Sequence, residues 1–285
     1  TSHRSVVPPV LIIPDFAETS AEPLQRIVAG RRAQTQIHEA RAIQIRYTLT
    51  GMTQSMELSA SQQRAPSAVV LLSGGQDSTT CLYWAKRHFE KVYALTFDYG
   101  QRHRIELDAA RTVAQMAGVA HHLILRVCEL EQLGGSALLS DIPIQETGGR
   151  GNLPNTFVPG RNLLFLVLAA AWAYQLECHH LVGGMCQTDY SGYPDCRDKF
   201  IKAKAKELTL GLDRPVSIHT PLMFKTKAET FAMAYKADKL QGLIEGTMTC
   251  YNGIETLNAW GRGCGNCPAC QLRRKGFEEF LKRKK

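Results

Sequence analysis

A glycine-paired turn joins an apolar run to a predicted helix in the stretch VVLLSGGQDSTTCL, residues 69–82. Ser73, Gly74 and Gly75 turn the chain, and the acid and hydroxyl side chains of residues 77–80 fall in the first helical turn. Backbone N–H groups, hydroxyls and the positive end of the helix dipole therefore converge on one point, which favours a bound phosphate. The alternative is an ordinary strand-to-helix turn capped by a serine or an aspartate.

The turn differs from the two most familiar nucleotide motifs. The sequence has no G-x-x-x-x-G-K-[ST], so the lysine that reaches the β- and γ-phosphates is missing, and it has no G-x-G-x-x-G. A cradle without lysine suits a nucleotide that is attacked at its α-phosphate and loses pyrophosphate. The predicted ATP-binding residues are Leu72, Ser73, Gly74, Gly75, Gln76, Asp77, Ser78, Thr79, Thr80, Cys81 and Leu82.

Four cysteines near the C-terminus have the spacing of a metal site. Cys264, Cys267 and Cys270 follow one another at C-x-x-C intervals, and Cys250 lies upstream. Four thiolates satisfy tetrahedral Zn²⁺, and a site closed by four protein ligands is structural rather than catalytic. A redox pair or an iron–sulfur site is the alternative. We predict a structural zinc module at residues 250–270 and core positions for the other five cysteines.

Strand and helix patterns alternate in the part of the chain that must position these residues. Short apolar runs alternate with helical stretches, the runs lying at residues 68–72, 92–97, 121–127 and 180–184. Such alternation predicts a parallel sheet covered on both faces, which is a doubly wound α/β domain. The Gly- and Pro-rich segment 134–160 is too long for a plain connection, so we expect it to cover a site at the carboxyl ends of the strands.

Composition narrows the class of protein. The chain has 285 residues, of which 44% are hydrophobic, and its longest apolar run, residues 163–174, is shorter than the roughly 20 residues of a membrane span. We interpret that run as a buried core helix. No secretory signal pattern opens the sequence, and nine cysteines without export predict a reducing compartment, the cytoplasm. The net charge of +8 suits an anionic ligand, either a nucleotide or a nucleic acid.

The first 64 residues differ from the rest, because they contain arginines but no lysine and show no sustained apolar period. We therefore divide the chain into an N-terminal extension, residues 1–64, for which disorder is one possibility, and a single domain, residues 65–285.

The stretch SGGQDST resembles the pyrophosphate loop of AMP-forming ATPases. Four further stretches narrow the resemblance to the 7-cyano-7-deazaguanine synthase family of the queuosine pathway, over about Ala68 to Leu281: FDYGQRH (97–103), VPGRN (158–162), TDYSGYPDCR (188–197) and TPLMFKTKAE (220–229). The resemblance implies an adenine-nucleotide α-hydrolase-like fold and the conversion of 7-carboxy-7-deazaguanine, ATP and ammonia to a nitrile through an adenylated intermediate. It also implies Mg²⁺ with ATP, a homodimer and no direct nucleic-acid partner.

Three residues are predicted to be catalytic, Asp77 and Lys227 from the resemblance and Arg161 from its position at the start of a helix after Pro159 and Gly160. Asp77 would help to hold Mg²⁺ and pyrophosphate, and Lys227 would offset the charge that builds on phosphate. Arg161 can neutralise a phosphate or a carboxylate, although an ion pair at the helix terminus is an alternative. No general base stands out, and His103 is the nearest candidate.

Five residues are predicted to bind the substrate. A guanine-like base offers an N1–H and an amine on one edge, which the carboxylates of Asp189 and Asp195 can accept. Tyr190 and Tyr193 can stack on the base, unless they are packed aromatics in a solvated turn. Arg197 can bind the substrate carboxylate or pair with a nearby acid such as Asp198.

Two features leave room for other interpretations. The spacing from Cys250 to Cys264 is longer than in the family pattern, as if ETLNA (255–259) had been inserted, which bears on loop shape more than on metal binding. A related ATPase that adenylates a tRNA base is the main rival, and a zinc-stapled nucleic-acid-binding module without catalysis is a second.

Overall fold

The computed structural model describes residues 65–101, 104–127, 130, 132, 134–140, 142–145, 153–188 and 192–284. The predicted N-terminal extension, residues 1–64, lies outside the described residues. The described part is built around a parallel sheet of five strands with helices on both faces.

The elements follow one another in an alternating order. The strands of the main sheet are β1 (Ala65–Leu71), β2 (Phe89–Asp98), β3 (His121–Arg126), β4 (His180–Val182) and β5 (Ser217–His219). The helices are α1 (Gln76–His88), α2 (Ile105–Ala117), α3 (Arg161–Gln175), α4 (Asp198–Gly211), α5 (Lys227–Lys236), α6 (Leu240–Gly246) and α7 (Pro268–Lys284). A short hairpin, β6 (Leu257–Asn258) and β7 (Gly261–Arg262), lies between α6 and α7, and a 3₁₀ turn spans Pro194–Cys196.

The strand order is β3-β2-β1-β4-β5, with β1 at the centre and every neighbouring pair parallel. The chain first moves outward from β1 to β2 and β3, and then crosses back to β4 and β5 on the other side. This reversal confirms the predicted doubly wound topology. It also creates a crevice at the carboxyl ends of β1 and β4, which is where open α/β sheets bind ligands.

Both faces of the sheet are buried, as the apolar runs of the sequence predict. Val69 faces α3 and α4 in one core cluster, whereas Val70 faces α1 and α2 in the other, and both are fully buried. Phe97 of β2 stacks on Phe165 of α3, with ring centroids 3.9 Å apart. Close packing in the two-sided core therefore fixes the position of each helix relative to the strand ends that carry the site.

Helix α3 is less buried than its apolar sequence predicts. Leu166 and Ala170 face the sheet, but Leu163, Val167 and Tyr174 are 41%, 40% and 46% exposed. The interpretation of residues 163–174 as a fully buried core helix is therefore wrong for one side, because α3 lies on the outside of the sheet and only its inner face meets the core. No helix among the described residues has the length and apolar character to cross a bilayer.

Helices α5 and α7 pack at a close contact made possible by a glycine. A Cβ placed on Gly276 of α7 would lie 2.3 Å from Cβ of Lys227 and 3.0 Å from its carbonyl carbon. The contact positions the first residue of α5, and the start of that helix is fixed by a capping box between Thr226 and Glu229.

Gly276→Ala is expected to destabilise the protein by about 1–3 kcal/mol, because the added methyl group pushes α7 away from the backbone of α5. Urea unfolding of the variant measures this difference. Gly211→Ala is the matched control, since Gly211 ends α4 and a Cβ added there would meet nothing within 4 Å, so its stability stays the same or rises by up to about 1 kcal/mol. Equal effects of the two substitutions would contradict the close-contact interpretation.

Candidate functional site

The loop between β1 and α1, residues 72–75, is called the glycine loop here. Gly74 has a φ of +82°, and a Cβ at this position would lie 2.5 Å from the carbonyl oxygen of Glu106 and 2.6 Å from the amide nitrogen of Ala110. Both the backbone conformation and the close approach of α2 therefore require glycine.

Hydroxyl groups close the glycine loop onto the first turn of α1. The Ser73 amide donates to Oγ of Ser78 at 3.1 Å, and the Ser78 hydroxyl lies 3.2 Å from the carbonyl oxygen of Gly75. No side chain caps α1, so the alternative of a serine- or aspartate-capped turn does not describe this helix. An uncapped helix start behind a tight glycine turn can receive an anion.

A cavity of about 340 Å³ opens at the glycine loop, at the carboxyl ends of β1, β2 and β4. Of the eleven predicted ATP-binding residues, Leu72, Ser73, Asp77 and Ser78 line it, whereas the side chains of residues 79–82 are buried and do not line it. The rest of the lining includes aromatic and charged groups that come from distant parts of the chain. Among the residues that line this part of the cavity are Tyr99, Glu106, Arg161, Met185, Tyr193 and Tyr251. Ala137 and Leu138 also line it, so the segment 134–160 reaches the site that it was expected to cover.

Asp77 and Lys227, which are 150 residues apart, form an ion pair at the edge of the cavity. Nζ of Lys227 lies 2.5 Å from Oδ2 of Asp77, and both side chains are largely buried. The other oxygen of Asp77, Oδ1, is buried without a hydrogen-bond partner among the described residues. The carboxylate thus keeps one oxygen available for a hard cation.

Arg161 begins α3, directly after Gly160 with a φ of +79°. Its Nη1 is 3.4 Å from the hydroxyl of Tyr99, and its guanidinium lies 5.8 Å from the centre of that ring. Arg161 has no ion pair within the described residues, so the proposed helix-terminus salt bridge is not formed there. The arginine instead directs a permanent positive charge at the cavity.

The predicted substrate residues do not all meet at the cavity. Asp189 and Tyr190, and also His103, lie outside the described residues. Tyr193 lines the cavity, and its hydroxyl lies 2.6 Å from Oγ1 of Thr156. These positions make Tyr193 a wall of the cavity whose hydroxyl is held in place.

Asp195 and Arg197 lie behind or beside that wall rather than among its lining residues. Asp195 is only 4% exposed, and its burial raises the pKa of its carboxyl group. Arg197 is exposed and reaches the carbonyl oxygen of Gly192 at 3.4 Å. Asp198, the acid expected as its alternative partner, pairs instead with Lys202 at 2.6 Å.

The four predicted cysteines converge into a group that can hold a metal ion. The sulfur atoms of Cys250, Cys264, Cys267 and Cys270 all lie within 4.8 Å of one another. Backbone N–H groups of Asn266 and Cys267 point at the sulfur of Cys264 at 3.4 and 3.3 Å, an arrangement that favours a thiolate.

The long Cys250–Cys264 spacing is taken up by the hairpin β6–β7. Leu257 pairs with Arg262 and Asn258 with Gly261, so the additional residues leave and return at nearly the same place. The side-chain amide of Asn258 donates to the carbonyl oxygens of Thr256 and Gly263 at 2.9 and 3.0 Å and holds the turn together. The longer spacing therefore changes the loop without separating the cysteines.

A short backbone segment connects the cysteine group to the glycine loop. The amide of Met248 donates to the carbonyl oxygen of Gly74 at 3.0 Å, and the amide of Gln76 reaches Oγ1 of Thr249 at 3.4 Å. Cys250 follows directly, so the first cysteine of the cluster is anchored two residues from a contact with the proposed phosphate site.

Arg273 of α7 holds this segment from the other side, and only 1% of it is exposed. Its guanidinium donates to the carbonyl oxygens of Trp260 and Leu243 and to the hydroxyl of Thr249, at 2.9, 3.0 and 3.1 Å. No acid pairs with it among the described residues, and desolvation by burial lowers its pKa to about 10. The buried cation is satisfied by neutral oxygens, which it ties together.

The residues that sequence patterns did not single out come from other elements. Tyr99 and Glu106 follow β2, and Tyr251 and Arg273 belong to the C-terminal segment. Tyr99 lies inside FDYGQRH, so the sequence contained one local pattern that could have identified it as a residue of the site. The others lack a local pattern, because each reaches the site only through the packing of α2 or α7.

These features define a parallel α/β protein with a glycine loop at its switch point and a C-terminal four-cysteine group. The chain belongs to the family described as Queuosine biosynthesis protein QueC, whose model matches residues 67–281. A curated relative, 7-cyano-7-deazaguanine synthase of Bacteroides fragilis, is 51% identical over 219 residues, which cover 76% of this chain and 97% of the relative. The family resemblance inferred from the motifs is therefore confirmed.

Solved structures of other proteins are similar at lower levels. A 4-thiouridine synthetase in complex with RNA and bound ATP matches 75% of this chain and 53% of its own, with a TM-score of 0.41 and 15% identity. The NMN synthetase of Francisella tularensis matches 78% of this chain and 87% of its own, with a TM-score of 0.39 and 14% identity.

Arg273→Met is expected to destabilise the protein by about 3 kcal/mol, because it leaves several buried oxygens without a donor. Arg274→Met is the matched control: this neighbour on α7 is half-exposed and makes only a 3.9 Å contact with Glu278, so its loss costs less than about 1 kcal/mol. Denaturant unfolding of both variants measures the difference. Similar values for the two arginines would show that the buried network contributes little.

Proposed function

We propose that this protein converts 7-carboxy-7-deazaguanine and ammonia to 7-cyano-7-deazaguanine with consumption of ATP, in queuosine biosynthesis. The observation that carries the proposal is the 51% identity to the Bacteroides fragilis synthase over 97% of that enzyme. The cavity supports it, because the glycine loop, the carboxylate of Asp77 with one unpartnered oxygen and the half-buried Arg161 line one space of about 340 Å³.

The reaction begins with activation of the substrate. The carboxylate oxygen of the substrate attacks the α-phosphorus of ATP, and the bond to pyrophosphate breaks. The glycine loop and residues 76–82 would hold the departing pyrophosphate through backbone N–H groups and the hydroxyls of Ser78 and Thr79. Arg161 would neutralise charge on phosphate or carboxylate, and Lys227 would both orient Asp77 and offset phosphate charge.

Amidation and dehydration complete the sequence. Ammonia attacks the carbonyl carbon of the acyl-adenylate, and AMP leaves with the bonding electron pair. The amide oxygen then attacks the α-phosphorus of a second ATP, and pyrophosphate leaves. The C–O bond to AMP breaks with its electron pair going to AMP, and the loss of both amide protons forms the nitrile. Tyr193 would stack on the base from the cavity wall. Asp189, Tyr190, Asp195 and Arg197 stay predicted substrate ligands.

Two metals belong to the proposal. Asp77 fits Mg²⁺, because its buried Oδ1 has no hydrogen-bond partner among the described residues; when bound, the ion would neutralise phosphate charge. Zn²⁺ fits the four cysteines, whose sulfur atoms converge with no open position.

The remaining expectations concern the protein's surroundings. We propose a homodimer that takes small-molecule substrates and does not bind nucleic acid directly. We also propose a cytoplasmic location, because a group of four thiolates that can hold a metal ion suits a reducing compartment.

When the protein is incubated with 7-carboxy-7-deazaguanine, ATP, Mg²⁺ and ammonium, we expect it to form the nitrile, AMP and pyrophosphate. Mass spectrometry measures these products. Lys227→Met is expected to lower the rate by about 100-fold or more, because Asp77 loses its partner. Lys225→Met is the matched control and keeps the rate, since Lys225 is 44% exposed and contacts Glu229 at 3.5 Å. AMP formation that requires added tRNA would favour the tRNA-adenylating rival, and salt-dependent RNA binding without turnover would favour the non-catalytic one.

Metal analysis is expected to find one zinc ion per chain, and Cys267→Ser is expected to lower this content and the stability together, because a four-thiolate site contributes directly to folding. Cys178→Ser is the control, since Cys178 is buried outside the cluster and directs its sulfur at the carbonyl oxygen of His180. Iron in place of zinc, or an unchanged metal content in Cys267→Ser, would overturn the assignment.

A further inference from the structure

Glu106 occupies the first turn of α2, where that helix touches the glycine loop. Its carbonyl oxygen is one of the atoms that exclude a side chain at Gly74, so the backbone of Glu106 packs on the proposed phosphate site. Glu106 lines the same cavity as Asp77 and Arg161. Glu106 therefore lies within the space in which the reacting groups must meet.

The carboxylate of Glu106 differs from the other acid of the cavity. Asp77 is held by Lys227, whereas Glu106 has no hydrogen bond or ion pair among the described residues. A partly buried carboxyl group without a partner is costly to maintain, so its presence on the wall of an active-site cavity calls for a functional explanation.

Three other polar groups line the cavity together with Glu106. They are Arg161 of α3, which carries a permanent positive charge, and the hydroxyls of Tyr99 and Tyr251. Burial raises the pKa of both tyrosines, so their hydroxyls stay protonated near neutral pH. Burial also raises the pKa of Glu106 to about 7, with Arg161 opposing the rise.

We propose that Glu106 is the proton acceptor that converts bound ammonium into ammonia for attack on the acyl-adenylate. This assignment rests on the proposed function and adds a catalytic residue to it. Near neutral pH the nitrogen source is almost entirely ammonium, which has no lone pair for attack. Among the described carboxylates that line the cavity, Asp77 is engaged with Lys227, and Glu106 is the one that can receive the proton.

Proton transfer and C–N bond formation follow one another at the carbonyl carbon of the acyl-adenylate. An N–H bond of ammonium breaks, its proton binds a carboxylate oxygen of Glu106, and the electron pair stays on nitrogen. That pair forms the C–N bond to the carbonyl carbon. The tetrahedral adduct loses a second proton to water and expels AMP with the electrons of the C–O bond. Glu106 returns its proton to solvent before the next cycle.

Two reactions separate this role from a structural one. Substrate-dependent exchange of labelled pyrophosphate into ATP, without ammonium, measures adenylation alone, and nitrile formation from ammonium between pH 6 and pH 10 includes the proton transfer. We expect Glu106→Gln to keep the exchange rate within about twofold. At pH 7 the variant should form nitrile about 100-fold more slowly, and the deficit should shrink toward pH 10, where free ammonia is abundant.

The matched control is Glu90→Gln, which changes an exposed carboxylate on β2 and should leave both reactions unchanged at every pH. A deficit of Glu106→Gln that is equal at all pH values, or an equal loss of exchange, would overturn the proton-transfer role while leaving the proposed function intact. No substrate-dependent exchange in the unaltered protein would instead remove the proposed function and this proposal with it.

Thermal unfolding gives a second readout that does not depend on turnover. A glutamate whose folded-state pKa is raised to about 7 contributes stability that is present below its unfolded value of about 4.3 and is lost as the pH rises through 7. The melting temperature of the unaltered protein should therefore fall more between pH 5 and pH 8 than that of Glu106→Gln. Identical slopes would contradict a desolvated carboxyl group facing the cavity.

Discussion

The site depends on two backbone contacts at Gly74, one of which leaves no room for a side chain. The first turn of α2 approaches within a distance that excludes a Cβ, and the amide of Met248 donates to the carbonyl oxygen of the same residue. The glycine loop is therefore clamped between two elements that are distant in sequence. Because both contacts involve main-chain atoms, the loop geometry is set by the packing of α2 and of the C-terminal segment rather than by local preference.

The positively charged side chains around the cavity share one feature, which is that each donates a hydrogen bond to oxygen atoms of the protein. Arg273 binds neutral oxygens and so acts as a structural tie between α7 and the segment that precedes Cys250. Lys227 is held by Asp77, whereas Arg161, which has no ion pair among the described residues, donates to the hydroxyl of Tyr99 and lines the cavity. The positive charge of Arg161 thus lies at the place where a polyanionic substrate would bind.

Local patterns predicted the fold and the two motifs well, since strand-helix alternation, a glycine turn and C-x-x-C spacing are each encoded within about 30 residues. The strand order itself was not predicted, because alternation of strands and helices is compatible with more than one order. Lys227 was associated with the site through a family resemblance, and no spacing rule links it to Asp77 across 150 residues. Glu106 and Arg273 were missed for the same reason, since their roles arise from which helix face meets which loop. The exposed side of α3 was missed because an apolar sequence does not reveal which of its faces the sheet covers.

The hairpin β6–β7 shows why a change in loop length leaves the cysteine group intact. Cys250 is fixed through Met248 and Thr249 to the glycine loop, and Cys270 is fixed through α7 and Arg273 to the same segment. The two ends of the insertion are therefore close together before the intervening residues are considered, and a longer connection costs little extra entropy when it returns as a hairpin. The convergence of the sulfur atoms is thus a property of the clamped segment and α7. A metal bound there would stabilise the same contacts that shape the glycine loop. Folding of the C-terminal segment and the geometry of the cavity therefore depend on the same contacts.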